Sequence, residues 1–258
     1  MGEFGICMGL CLLAIPAFFI GLVLLTVAVA MWERRVVWYF VPVDTATGRP
    51  AALDPNNPYA ASGVPLPQVP PPSVDASQAN AAMKTMGFEF LGTCGDAKGA
   101  KYHVRYDFWV APERDVLVNV GCGKVIGIDV DARWLYTRLQ DGRTIVTVSD
   151  QSASEYDLTG QRVEALVSAI SFQQLLSAHR KRIKAQFSLP LSFGPDPLKD
   201  LRTEIKQRVD TLVASGYAKH LDPQQATWSY TLLGALLFAP MANGQALRRQ
   251  LIPDSGQP

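Results

Sequence analysis

The sequence predicts an α+β protein in four stretches: one N-terminal transmembrane helix, a Pro-rich linker, an antiparallel β-meander covered by helices, and a helical C-terminal tail carrying a short hairpin. Three observations carry this reading. Residues 4–32 contain no charged side chain. Nine of the 18 prolines fall between residues 41 and 80. From residue 88 the apolar period drops to two, and beyond residue 159 it returns to helical spacing. The corresponding segments are 1–40, 41–75, 76–158 and 159–258.

Composition sets the outer bounds. A chain of 258 residues that is 48% hydrophobic has enough apolar material for a membrane span and a medium-sized domain, which excludes a disordered chain. With 24 basic against 23 acidic side chains, the net charge of +1 gives no argument for a nucleic-acid or anionic-lipid partner from bulk charge. Four cysteines, two of them (Cys7 and Cys11) in the apolar N-terminus, do not make a disulfide framework.

Residues 4–32 exceed the roughly 20 apolar residues a helix needs to cross a bilayer. Trp32, Trp38, Tyr39 and Phe40 follow as an interfacial belt, and Pro16 predicts a bend in the helix. Cleavage after Ala28-Val29-Ala30 is the competing reading. It lacks a basic n-region, since Glu3 is the only charge before a run too long for a signal peptide. Lipidation is set aside as well, because Ile6 stands where a myristoylation motif needs Ser or Thr. Arg34 and Arg35 follow the span and no basic residue precedes it, so the bulk of the chain is expected in the cytoplasm. A second apolar stretch, 228–242, is short, is broken by Gly234 and Pro240, and ends near Arg248 and Arg249, so a single crossing is expected.

Pro65, Pro67, Pro70, Pro71 and Pro72 give the linker a stiff, extended character, expected to act as a tether. Docking of these prolines into an aromatic-lined groove ranks second, because no basic anchor residue flanks them.

Asp75 with Gln78 reads as a helix start, with Ala79, Ala82, Met83 and Met86 at helical spacing up to Gly87. Strands are then expected over 88–91, 102–110, 115–120, 124–130, 134–139 and 144–149. Their connections include Pro112-Glu113-Arg114-Asp115 and Gln140-Asp141-Gly142-Arg143, short enough to force antiparallel pairing. In 102–110 the alternation puts Tyr102, Val104, Tyr106, Phe108 and Val110 on one face and His103, Arg105 and Asp107 on the other. One face therefore calls for a helical cover, a single pair of layers.

In the tail, Thr159, Ser171 (with Gln174 completing a capping box) and Asp196 followed by Pro197 mark three helix starts. Phe172, Leu175, Leu176, His179, Ile183 and Phe187 form one stripe, as do Leu198, Leu201, Ile205, Val209, Leu212 and Val213. After Gly216 come a strand at 217–221, a turn at Asp222-Pro223, a strand at 227–232 and a small apolar helix. That order resembles the tail of winged-helix regulators, in which a hairpin follows the recognition helix. The resemblance implies a DNA-reading helix, but Lys199, Arg202, Lys206 and Arg208 are interleaved with Asp200, Glu204 and Asp210, too mixed for a phosphate-facing surface.

No residue set converges on a reaction. Cys94 and Cys122 lie 28 positions apart without a metal-ligand spacing and read as buried thiols; a nucleophile assignment would recruit His103 and Asp107 around Cys94. Gly121-Cys122-Gly123-Lys124 lacks the P-loop spacing and reads as a bulged β-turn. Glu113, Asp115, Asp129 and Asp131 do not form a calcium loop and read as solvated turn charges. Arg180, Lys181, Arg182 and Lys184 read as a solvated helix face, and His179 and His220 as packed or surface histidines. No catalytic, cofactor or metal site is expected, and no cofactor. The expected role is a non-enzymatic protein-binding or scaffolding module on a single-pass anchor in the cell membrane, with a protein partner of unknown identity and nucleic acid an unlikely one. A membrane-tethered DNA-binding regulator, and after it a thiol or hydrolase enzyme, are the alternatives.

Overall fold

Strict alternation of apolar and polar side chains over Tyr102–Val110 produces β5, the strand around which the protein is organised. The computed structural model describes residues 18–38, 40–44, 49–50, 69–96, 102–125, 128–149, 162–167, 171–222 and 227–237. Within them the chain is α+β, with a mixed sheet and five helices. The helices are α1 (18–32), α2 (Val74–Thr85), α3 (Phe172–Lys184), α4 (Pro197–Ala214) and α5 (232–237). The remaining strands are β1 (Arg35–Val36), β2 (Phe40–Asp44), β3 (Arg49–Pro50), β4 (Glu89–Asp96), β6 (Leu117–Val125), β7 (Ile128–Leu139), β8 (Thr144–Val148), β9 (Arg162–Leu166), β10 (Pro190–Leu191), β11 (Ala218–His220) and β12 (Thr227–Tyr230).

The main sheet has nine strands in the order β3-β2-β4-β5-β6-β7-β8-β9, with β10 paired to the end of β7. The expected all-antiparallel meander is corrected at both ends. Phe40–Asp44, placed by sequence partly in the tether, is a sheet strand whose Phe40–Val43 pair with Asp96–Thr93. Arg162–Leu166, expected to begin a helix, runs parallel to β8 from Thr144↔Arg162 to Val148↔Leu166. Helix-favouring Glu164, Ala165 and Leu166 yield there to pairing at the sheet edge, the usual override of weak local propensity by tertiary contact.

A second correction concerns 121–124. This segment is not a turn but the middle of β6, paired residue for residue with β5 and β7. Its glycines serve close approach. A Cβ on Gly121 would stand 2.7 Å from the Trp134 ring, and Gly123, at φ +145°, would drive one to 2.0 Å from the His103 carbonyl oxygen. Of the strands expected at 124–130 and 134–139, residues 124–125 end β6 and residues 128–139 form one long strand, β7.

The sheet is covered on both faces rather than one. On one side α4 and the chain around β1 and β2 bury Trp38, Phe40, Phe193, Leu201 and Ile205 against Val104, Tyr106, Phe108, Val110 and Leu117. Phe40 meets the rings of Trp38, Tyr106 and Phe108 edge-on at 4.9 Å each. On the other side α2 and α3 bury Ala76, Ala79, Met83, Phe172, Leu175 and Ile183 against Trp109, Val118, Val120 and Leu135. The described part of the 159–258 tail thus contributes α3 and α4 to the layers that cover the sheet.

The helix starts at Ser171 and Asp196 fall where expected, with the capping box closed by Gln174. The cap of α2 is Ser73, whose hydroxyl accepts from the Ala76 amide at 3.0 Å, rather than Asp75. A smaller, three-stranded sheet, β1-β12-β11, joins the end of α1 to the hairpin after α4. Of the expected span, residues 4–17 with Pro16, of the linker residues 45–48 and 51–68, and the helix start at Thr159 lie outside the described residues. Among the described residues no helix is long and apolar enough to cross a membrane.

Candidate functional site

The residues weighed for thiol chemistry do not meet. Register places Cys94 opposite Tyr106 and Thr93 opposite Asp107, so Cys94 and Asp107 belong to opposite faces of the sheet. His103 is exposed, beyond both. Burial pushes the Cys94 thiol up to about 12 against a smaller lowering by Arg202, so the thiolate is scarce at neutral pH. Burial also raises Cys122, which packs under α2 and α3.

Asp107, only 1% exposed, is instead the hub of a polar cluster. Its carboxylate accepts from Thr93 Oγ1 at 2.6 Å, Asn80 Nδ2 at 2.7 Å and Arg105 Nε at 2.9 and 3.0 Å. Asn80 Oδ1 in turn accepts from Trp109 Nε1 at 3.0 Å. Asn80 ties α2 to β5, Thr93 ties β4 to β5, and the acceptor capacity of the carboxylate goes to the fold. Asn80 and Thr93 were missed because they come from other elements; only the polar side of the β5 alternation signalled Asp107.

His179 is the second hub. Thr137 Oγ1 donates to the Asp115 carbonyl at 2.8 Å, so it accepts from His179 Nε2 at 3.0 Å. Thr147 Oγ1 accepts from Arg182 Nη1 at 2.6 Å, which leaves its own proton for His179 Nδ1 at 2.7 Å. The chain of donors assigns the neutral tautomer with hydrogen on Nε2. Burial, with Arg182 and Arg180 adding repulsion, brings its pKa down to about 3.

The basic run on α3 is therefore not wholly a solvated face. Arg182 reaches inward, donating to the carbonyls of Val146 at 2.5 Å and Val163 at 3.0 Å, and so stitches β8 to β9. Arg180 donates to Asp115 Oδ2 and, at 3.3 Å, to Glu113 Oε2. Lys181 and Lys184 remain exposed. The acidic residues are likewise engaged: Asp129 with Lys124 at 3.6 Å, and Asp131 with Arg133 at 3.9 Å and the Ser73 hydroxyl. Among the described residues no His, Cys, Asp and Glu gather as a metal site.

What the interior does not use, the surface displays. In α1 the side chains of Phe18, Phe19, Ile20, Leu22, Leu24, Leu25 and Val29 are exposed around the helix, while Val27 and Ala30 touch Ala235 of α5. Where α1 meets the domain, Arg35 donates to the Ala30 carbonyl at 3.0 Å and to Glu33, and its guanidinium lies 4.5 Å over the Tyr230 ring. A separate ridge, Phe187, Leu189 and Leu191, projects from the extended segment after α3; Phe187, expected on the buried stripe, is fully exposed. Comparison with protein-family models, with curated proteins and with solved structures returned no match, so the reading of this chain rests on its own geometry.

Proposed function

We propose that the chain is a single-pass, membrane-anchored protein whose α+β domain binds another protein rather than catalysing a reaction. The observation that carries this is the exposure of α1: a helix apolar on all sides, with large side chains facing outward, has its favourable surroundings in lipid. The protein-binding half draws support from the ridge of Phe187, Leu189 and Leu191, three large apolar side chains left uncovered by the sheet and helices. Arg34 and Arg35 at the end of α1 favour a cytoplasmic domain.

Extraction of membranes at alkaline pH tests the anchor. The full chain is expected to stay with the lipid and a chain beginning at Glu33 to leave it; release of the full chain overturns the anchor. A photo-reactive side chain at Leu189 tests the ridge: a discrete adduct that disappears with Phe187→Ser is expected, and the absence of any adduct removes this surface as a docking site.

A second reading, contact with DNA through α4 and the β11–β12 hairpin, is favoured by the third strand that β1 adds to that hairpin. Against it, Lys206 is paired with Asp210 at 2.6 Å and Arg202 lies 5.1 Å over the Trp38 ring, leaving few cations for phosphate. Duplex binding that weakens steeply with salt would restore it.

A further inference from the structure

The packing of α5 is inverted on three of its four leucines. Leu232, Leu233 and Leu236 fall on one side and are 56%, 53% and 46% exposed, whereas the small Ala235 on the other side is fully buried and only Leu237 packs against the Val209, Leu212 and Trp228 cluster. A helix resting on a water-facing domain buries its leucines and exposes its small residues. Helices that meet within lipid do the reverse, because apolar tails surround the large side chains and small residues let the backbones approach.

The approach here is close and fixed. Thr231 caps the helix, its hydroxyl accepting from the Gly234 amide at 3.2 Å and donating to the Gly216 carbonyl at 2.7 Å. A Cβ on Gly234 would stand 1.9 Å from the Tyr217 carbonyl oxygen, so no larger residue fits at that position. Ala235 then meets Val27 and Ala30, the only buried side chains of α1. At about 1.5 Å per residue, Val27 lies roughly 8 Å along the axis from Trp32. Trp32 is exposed and is followed by the polar Glu33, Arg34 and Arg35, the order of side chains at a headgroup boundary.

We infer that α5 is a second lipid contact, immersed beside α1 at the depth of the outermost acyl carbons, so that the domain is held to the membrane at two points and in one orientation. The inference rests on the anchor reading of α1 but goes beyond it, since a lone span does not set which face of the domain meets the membrane. The depth is that of a helix lying in the interface, about 5–10 Å below the headgroups, and not that of another span. The occupant is lipid because the leucines of α5 continue an apolar surface that α1 presents on every side and that runs, uncharged, back to Phe4 in the sequence.

The test uses the full chain carrying Cys7→Ser and Cys11→Ser, in phosphatidylcholine vesicles containing lipids with a quencher at a shallow or a deep acyl position. An environment-sensitive fluorophore is attached through Leu24→Cys, Leu233→Cys or, as a water reference, Gln173→Cys. Deep quenching is expected at 24, shallow quenching and a blue-shifted emission at 233, and neither at 173. Quenching at 24 with water-like emission at 233 overturns the inference and leaves the anchor standing. Blue-shifted emission at 233 without lipid quenching also overturns it, assigning the leucines to another part of the chain or to a second copy. Loss of quenching at both sites overturns the anchor itself. Leu236→Cys repeats the measurement should Leu233→Cys fail to fold.

Discussion

His179 shows what this interior does to a titratable side chain. Its neutral imidazole is held between two threonine hydroxyls, and the native ring accepts a second proton only near pH 3. The unfolded ring takes one at about 6.5. Between those values the unfolded state binds the extra proton, so stability falls as pH drops through this window, by up to roughly 1.4 kcal/mol per pH unit. His179→Gln is expected to flatten that slope while lowering stability at neutral pH, and urea unfolding followed by circular dichroism at several pH values reads both. At the same scale the sequence conveyed less. It showed that Asp107 and His103 share a side of a strand, which is correct. It did not show that Asp107 is enclosed by Asn80 and Thr93 while His103 lies open, because enclosure depends on elements that alternation within one strand does not describe. Arg182 was hidden for the same reason: a basic residue near the end of a helix reads as solvated until the carbonyls of two neighbouring strands are known to converge on it.

Among the elements, legibility followed how local the determinant is. The start of α3 was written in Ser171 and Gln174, which satisfy each other's backbone within four residues, and α4 in Asp196 and Pro197. Strand β5 was bounded correctly by its own alternation. Strand β9 was lost, since Arg162–Leu166 makes its decisive contacts with β8 and is otherwise a fair helix sequence. Strand β6 was cut in two because glycines at 121 and 123 were taken for a turn, whereas they make room for Trp134 and for the backbone of β5. Gly123→Ala is therefore expected to disturb the centre of the sheet rather than a loop. Strain at its φ of +145° costs at least about 1–3 kcal/mol before the clash with His103 is counted, and the loss appears as a lower thermal midpoint. Gly142→Ala, at a site with open space around it, is the comparison that separates backbone strain from collision.

For the whole molecule, the proposed function rests on two separate apolar displays, α1 with α5 and the Phe187 ridge. Helices α1 and α5 gather at one place through Val27, Ala30 and Ala235, while the Phe187 ridge lies in the segment between α3 and α4. The C-terminal half of α4 packs Val209 and Leu212 against Val37, Ala218 and Trp228, and this satellite cluster connects the segment after α1 to the domain. A chain ending at Asp222 lacks β12 and uncovers that cluster. It is expected to retain a cooperative main sheet, but to be cut by protease between residues 33 and 38, where the full chain resists; equal resistance of the two would show that β12 contributes nothing to the junction.

The pairing of Arg35 with Trp228 also sets an order in time. A ribosome delivers Arg35 193 residues ahead of Trp228, so over that interval β1 lacks its strand partner. Contacts this distant in sequence form slowly. Closure of the small sheet thus waits on delivery of residues 227–230, and a nascent chain halted before residue 227 would expose the edge of β1 as a protease-sensitive intermediate.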